Sequence, residues 1–345
     1  MKKIVVTLFM SLALSECASA LANNGGPAAT GLKGETQTPA PQSAELAEAD
    51  SLSRSIVELH KAGKDDEALV LANRVLALRE KALGPDDRQV AFALFNLGEL
   101  YVAKRKYGTA QPFYKRALTI LEKDKDKNNE IIGKVLNSLA LVSYLDRDFG
   151  QSETFYQRLL EHQERTFGAG SHEVARALFN LAELYRRLSK YEKAEPLFLR
   201  MLAIEEKLLK PDDPNLEKAQ ERYVCLLYEK GDEKKADELS RRYSESRASW
   251  VPGTLIPEVL NGKALSLPRP EYPQEARNMR ASGVVIVKVK IDEAGKVIES
   301  VATCGNPYLV RASEAAASKA RFTPTLKAGQ PVQVTGIITY RFLPQ

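Results

Sequence analysis

Three cysteines and three histidines are all that the 345 residues contain of the residue types that most often bind metals or attack substrates. His60, His162 and His172 share no metal-ligand spacing, and a place on a helix face or in a loop accounts for each. No strand-to-helix nucleophile turn occurs, and Gly168-Ala169-Gly170 falls short of a dinucleotide-binding fingerprint. Neither Cys225 nor Cys304 sits beside a histidine that would mark a catalytic thiol. A net charge of +5, spread over the chain with no basic run interleaved with aromatics, gives nucleic acid no footprint. The sequence therefore carries no catalytic residue, no metal site, no cofactor motif and no evident small-molecule substrate site.

Long apolar runs are missing as well. The first, Ile4–Leu14, is well short of the roughly 20 residues a membrane-spanning helix needs, and Glu16 blocks its extension. Lys2 and Lys3 before it, and Ala18-Ser19-Ala20 or Ala20-Leu21-Ala22 after it, read as a signal peptide over residues 1–22. Export to the periplasm or cell envelope is expected, with a retained anchor or a lipid on Cys17 as the alternative. Glu16 occupies a position where a lipidation site wants a small residue. Residues 23–50, rich in Gly, Pro, Ala, Thr and Gln, read as a flexible linker. Cleavage would leave Cys225 and Cys304 in segments that read as different domains. Two partly buried, unpaired thiols are expected, a bridge being the alternative.

What the chain does have is repetition. Segments beginning at Leu94, Leu136 and Leu178 align, each starting 42 residues after the last, and the same step links Ala68, Ala110, Ser152, Ala194 and Ala236. Glu80, Glu122, Glu164 and Glu206 keep the same register. Within a copy the apolar spacing is helical: Leu94, Leu97, Gly98 and Tyr101 on one helix, Ala110, Tyr114 and Ala117 on a second. The small residue at 98, 140 and 182 allows close helix approach, and Asp86, Asp87, Asp212 and Asp213 sit just before helix starts, where carboxylates satisfy free N–H groups. A helix pair of this kind cannot bury its own stripe, so the copies should stack into a solenoid over residues 51–247.

"LFNLGELYVAKRKYGTAQPFYKRAL" and "LFNLAELYRRLSKYEKAEPLFLRML" resemble the tetratricopeptide repeat, in its 42-residue kinesin-light-chain form. The resemblance implies a concave groove, lined by the first helix of each pair, that holds an extended peptide. By position, its lining would include Phe95, Asn96, Glu99, Asn137, Arg176, Phe179, Asn180, Glu183 and Arg187. Asn96 and Asn180 are the candidates whose amides could pair with a bound backbone.

Pro and Gly mark residues 248–267 as a connector. Beyond it the period changes. Val285, Val287, Val289 and Ile291 alternate with Lys288 and Lys290, and Asp292-Glu293-Ala294-Gly295 supplies a turn into a second strand. Asn306-Pro307 starts a helix with its stripe on Leu309, Ala312, Ala316 and Ala320. Residues Val332 to Phe342 close the chain as an alternating strand. A helical crossover makes the third strand antiparallel to the first, with sheet order second–first–third and the helices on one face.

"PEYPQEARNMRASGVVIVKVKIDEAGKV" and "RFTPTLKAGQPV" resemble the TonB C-terminal domain, over residues 268–345. Tyr272-Pro273 matches that family's Tyr-Pro step. The resemblance implies docking with proteins such as outer-membrane TonB-dependent receptors, a partner strand adding at the edge formed by Gln333, Val334, Thr335, Gly336, Ile337, Ile338 and Thr339. The expected architecture is multidomain: an all-α solenoid followed by a small α+β domain with a three-stranded antiparallel sheet. The expected function is an exported adaptor with two peptide-docking surfaces. A membrane-anchored energy transducer is the alternative, since the short leader and the absence of a long Pro-rich rod depart from that family's pattern.

Overall fold

The computed structural model describes residues 41–248, 263–327 and 329–343. The readings on the leader, on Cys17 and on residues 23–40 of the linker lie outside the described residues. Two compact units divide the chain, one through Thr166 and the other from Phe167. Among the described residues ten α-helices come first: α1 Pro41–Lys61, α2 Asp65–Leu83, α3 Arg88–Ala103, α4 Tyr107–Leu121, α5 Lys125–Leu145, α6 Phe149–Phe167, α7 His172–Arg187, α8 Tyr191–Leu208, α9 Pro214–Lys230 and α10 Glu233–Ala248. Among the described residues, no helix is long and apolar enough to cross a membrane.

The expected linker is corrected at its end. Helix α1 begins at Pro41, inside residues 23–50, and Ala49 is fully buried in a core with Ile56, Ala72 and Leu97. The segment has no long apolar period, but Ala44 to Ala49 are strong helix formers and Pro41 opens the first turn.

The 42-residue register is visible in burial and in backbone conformation. Ala68, Ala110, Ser152, Ala194 and Ala236 are all fully buried. Gly63, Arg105, Arg147, Ser189 and Gly231, at the same step, all take positive φ just after the first helix of their pair. At each, the following residue donates its N–H five positions back: Lys64 to Leu59 O, Lys106 to Tyr101 O, Asp148 to Ser143 O, Lys190 to Tyr185 O and Asp232 to Leu227 O. This is the Schellman termination, which satisfies the last free carbonyls of a helix and turns the chain back. Asp87 and Asp213 cap α3 and α9 through Gln89 N and Asn215 N. Gly98 has a steric reason: a Cβ there would lie 2.4 Å from the Tyr114 ring. The repeating glutamates brace successive pairs, Glu80 with Arg116 at 2.6 Å and Glu122 with Arg158 at 2.8 Å.

In the second unit, Glu195 of α8 ties α9 and α10, accepting from Lys230 at 2.8 Å and Lys235 at 2.8 Å. Hydrogen bonds from Lys230 and then Lys235 hold its carboxyl down to about 2, against an ordinary 4.5. A carboxylate depressed on folding stabilises above its unfolded pKa, and that stability is lost as pH falls toward the folded value. Urea melts should therefore lose about 1–2 kcal/mol between roughly pH 5 and pH 2 through this group, allowing for solvent screening of partly exposed lysines. Glu195→Gln should remove that slope, and an unchanged pH profile would refute the assignment.

The C-terminal domain follows with β1 Ala264–Ser266, α11 Gln274–Asn278, β2 Gly283–Ile291, β3 Val297–Cys304, α12 Pro307–Ala317, β4 Arg321–Phe322, β5 Leu326–Lys327, β6 Gln330–Pro331 and β7 Val334–Phe342. The main sheet has order β3-β2-β7, both pairings antiparallel. Gly295 makes the β2–β3 turn at φ +80, where a Cβ would meet Phe322 O at 1.9 Å. Val285, Val287, Val289 and Ile291 share a core with Ile338, Tyr340 and Phe342 under Leu309, Ala316 and Ala320. Ala312 is only half-buried, and Ser313 and Ala317 complete the helix's inner stripe. Within the expected connector, the extended stretch β1 pairs antiparallel with β4.

Candidate functional site

Helix α7 presents Arg176, Phe179, Asn180, Glu183 and Arg187 along its turns. Arg176 and Arg187 are exposed, while Phe179 and Asn180 are half-buried. The Phe179 ring meets Phe198 edge-on at 6.2 Å. Glu183 is committed elsewhere: Arg186 Nε and Nη2 grip its two oxygens at 2.9 and 3.1 Å. In the first unit, Asn96 and Asn137 are half-buried. Phe95 and Glu99 correct the expectation of an exposed lining. Phe95 is 1 % exposed, its ring 5.6 Å from that of Tyr114. Glu99 accepts from the Tyr114 hydroxyl at 2.5 Å and from Ser138 Oγ at 3.0 Å. Burial raises the Glu99 carboxyl, and those two hydrogen bonds offset this only in part. Both residues point between helices because a solenoid helix is packed on its flanks as well as its back.

The three histidines are spread apart. His60 contacts Asp65 at 2.7 Å, His162 the Asn129 carbonyl at 2.7 Å, and His172 Glu205 at 2.8 Å.

In the C-terminal domain, β7 pairs with β2 from Val334 to Phe342 and, among the described residues, with no other strand. Its side chains alternate strictly, with Val334, Gly336 and Ile338 buried and Thr335, Ile337 and Thr339 exposed; Gln333, just before it, is half-buried. Tyr272 and Pro273 act structurally. Pro273 stands at the N-cap of α11, and Tyr272 packs edge-on against Phe342 at 5.7 Å while its hydroxyl bonds the Ala281 carbonyl.

The domain's own helices pack on one face of the sheet, as expected, and the second face is not free either. Helix α9 lies over it. Lys288 of β2 reaches Glu217 at 2.7 Å and Glu221 at 3.3 Å, and Arg222 Nη1 donates to the Thr303 carbonyl at 3.4 Å. Arg341 of β7 pairs with Glu233 of α10. Most consequentially, Cys225 of α9 and Cys304 of β3 form a disulfide, so the expectation of two unpaired thiols is overturned. Only folding brings together two cysteines separated by 79 positions.

A buried charge network surrounds the bridge. Glu229 Oε1 lies 3.7 Å from Cys225 Sγ and 3.9 Å from Cys304 Sγ, and 2.5 Å from Arg186 Nη1. Burial pushes the Glu229 carboxyl up despite Arg186, whereas for Glu183 the bonds and charge of Arg186 outweigh burial and hold it down. Cys225, Glu229 and Cys304 are close enough to suggest metal ligation, but the sulfurs are bonded to each other and Arg186 occupies the carboxylate.

A family model described as Gram-negative bacterial TonB protein C-terminal matches residues 268–343, and one described as tetratricopeptide repeat matches 47–123 and 132–207. Comparison with curated proteins gives no match. Among solved structures, a Podosopora anserina protein described as a kinesin light chain with nearly identical TPR-like repeats is 17 % identical, with 62 % of this chain and 99 % of that one covered, at a TM-score of 0.52. Aspartyl phosphate phosphatase F from Bacillus subtilis is 18 % identical over 61 % of this chain and 53 % of its own, at 0.50. At such identities the likeness is one of fold. Both matching families are non-catalytic interaction modules, and the TonB C-terminal match links the chain to the cell envelope. The chain thus carries tetratricopeptide repeats, with a fold shared by those of a kinesin light chain, followed by a TonB C-terminal domain.

Proposed function

We infer that this chain is an exported envelope adaptor that holds protein partners on two surfaces. One is the outer edge of β7, which takes a partner strand. The other is the row of first helices, which takes an extended peptide. The carrying observation is that β7, nine residues long and strictly alternating, pairs on one side only among the described residues. A long regular edge invites pairing unless it is covered or used. Adding a strand there supplies main-chain hydrogen bonds, and Thr335, Ile337 and Thr339 offer side chains for selectivity. The chemistry fits an extended segment of another envelope protein, with outer-membrane TonB-dependent receptors the class suggested by the family. On the helices, Asn96, Asn137, Arg176, Phe179, Asn180 and Arg187 remain as peptide contacts, whereas Phe95, Glu99 and Glu183 support the scaffold. The charged start and small-residue site before residue 23 support export.

Two proline substitutions test the edge. Along a strand, successive N–H groups point to opposite sides, so Thr335→Pro and Gly336→Pro remove different bonds. One should break the ladder to β2 and destabilise the domain by about 3 kcal/mol or more. The other should leave the melt unchanged and abolish capture of a receptor segment. Normal capture by the variant that still folds would remove the edge from the account.

A further inference from the structure

Beyond partner docking, the bridge between the two domains has the makings of a control element. Its sulfurs belong to different domains: Cys225 sits on the ninth helix of the solenoid and Cys304 at the end of β3. The contacts around it mix charged and polar pairs (Lys288 with Glu217 and Glu221, Arg222 with a carbonyl, Arg341 with Glu233, and Glu229 with Arg186) with two apolar side chains, Val284 and Ile286, buried on the same face of the sheet. Ion pairs at partly exposed positions contribute little each. The C-terminal domain also keeps a core of its own, built of β2, β7 and α12, that does not depend on α9. The bond joins this separately cored domain to α9 across a contact in which ion pairs surround a small apolar patch, so it bears on whether the two stay joined.

We propose that Cys225–Cys304 is a redox-controlled clamp that holds the sheet against α9 when oxidised and releases it when a protein dithiol reduces it. Release would uncover the Lys288 face of the sheet and the acidic row Glu217, Glu221 and Glu229 of α9. The exchange balances as follows. A thiolate of the reductant attacks Cys304 Sγ, the intramolecular S–S bond breaks, and Cys225 leaves as a thiolate. Its negative charge falls 3.8 Å from Arg186 Nη1, a donor already in place. The second thiol of the reductant then displaces Cys304 from the mixed disulfide. Two electrons and two protons pass from the dithiol to the cysteine pair, and the reductant ends as a disulfide. Glu229, within 4 Å of both sulfurs, is positioned to exchange the thiol protons. Arg186, Arg222, Glu183 and Glu229 are the charged groups around the exchange. The clamp stands whatever binds β7.

Thiol accessibility reads the two states directly, because Cys225 is 0 % and Cys304 5 % exposed when docked. The full chain, reduced with dithiothreitol, would be pulsed with a maleimide in native buffer and again in urea, with labelling at Cys225 and Cys304 separated from that at Cys17 by peptide mapping and circular dichroism recorded in parallel. The expected result is unchanged ellipticity and native labelling within about 100-fold of the urea rate, since a released interface offers only shallow local protection. Labelling slower than that means the domains stay docked without the bond, and the clamp is then only a staple. Loss of ellipticity on reduction also overturns the proposal, because a switch needs two folded states. A Cys17→Ala, Cys304→Ala chain supplies a second readout without reductant: its one remaining thiol, Cys225, should label as fast as in the reduced protein, and protection of that thiol would reject release.

Discussion

Replacing Arg186 with methionine is expected to destabilise the second unit by about 3–5 kcal/mol, measured by urea unfolding near neutral pH. The guanidinium is 10 % exposed, grips both oxygens of Glu183 and reaches Glu229. Methionine fills a similar volume, so the effect isolates charge from packing. Without Arg186, two buried carboxylates of like sign face each other, and burial already pushes Glu229 up. Their folded pKa values then both exceed the unfolded ones, so the loss is largest at high pH and shrinks as pH falls through the folded values. Adding Glu229→Gln to the variant should recover part of the loss. Arg186→Lys should rescue incompletely, since an ammonium cannot hold two carboxylates in a forked geometry. A cost under about 1 kcal/mol, or one that does not vary with pH, would show that Arg222 carries the network instead.

That network also marks where the sequence stopped being legible. Period and register were readable because one residue type recurs where two helices touch: the alanines and Ser152 at the 42-residue step are all fully buried. Caps at Asp87, Asp213 and Asn306 were readable because capping is local chemistry. The turn that ends the first helix of each pair was not. Only its first and last copies use glycine, while Arg105, Arg147 and Ser189 hold the same left-handed conformation without it. Spacing of three to four residues assigns a helix face only to within a side chain or so. Asn96 and Phe95 are neighbours in sequence, yet one is half-buried and the other is in the core. Glu99 looked like a groove carboxylate, but Tyr114 and Ser138, from the partner helix and the next repeat, draw it inward. The strand order β3-β2-β7 followed from local connections. The helix laid across the sheet's second face depends on contacts over 67 to 108 positions, and no local pattern announces it.

The disulfide belongs to that non-local class, and its removal should show how the two domains share stability. A Cys225→Ala, Cys304→Ala chain is expected to lose about 4 kcal/mol in the second unit, from the chain-entropy cost of closing a loop of roughly 80 residues. Two contributions act in addition. Alanine at Cys225, which is fully buried, leaves a small void that adds to the loss. Glu229 loses its sulfur neighbours but keeps Arg186, so the charge network itself stays paired. Wild-type protein melted under reductant separates these effects, because it loses the cross-link and keeps the sulfur volume. With the link intact, α9 and the sheet should unfold in one transition. Without it, the core of β2, β7 and α12 should melt independently of the solenoid helices, which splits the urea curve in two. Near-ultraviolet signals from Tyr272 and Tyr340 would follow the sheet, and far-ultraviolet ellipticity the helices. One coincident transition at an unchanged midpoint, in both the variant and the reduced protein, would mean that the polar contacts of Lys288, Arg222 and Arg341 already couple the domains unaided.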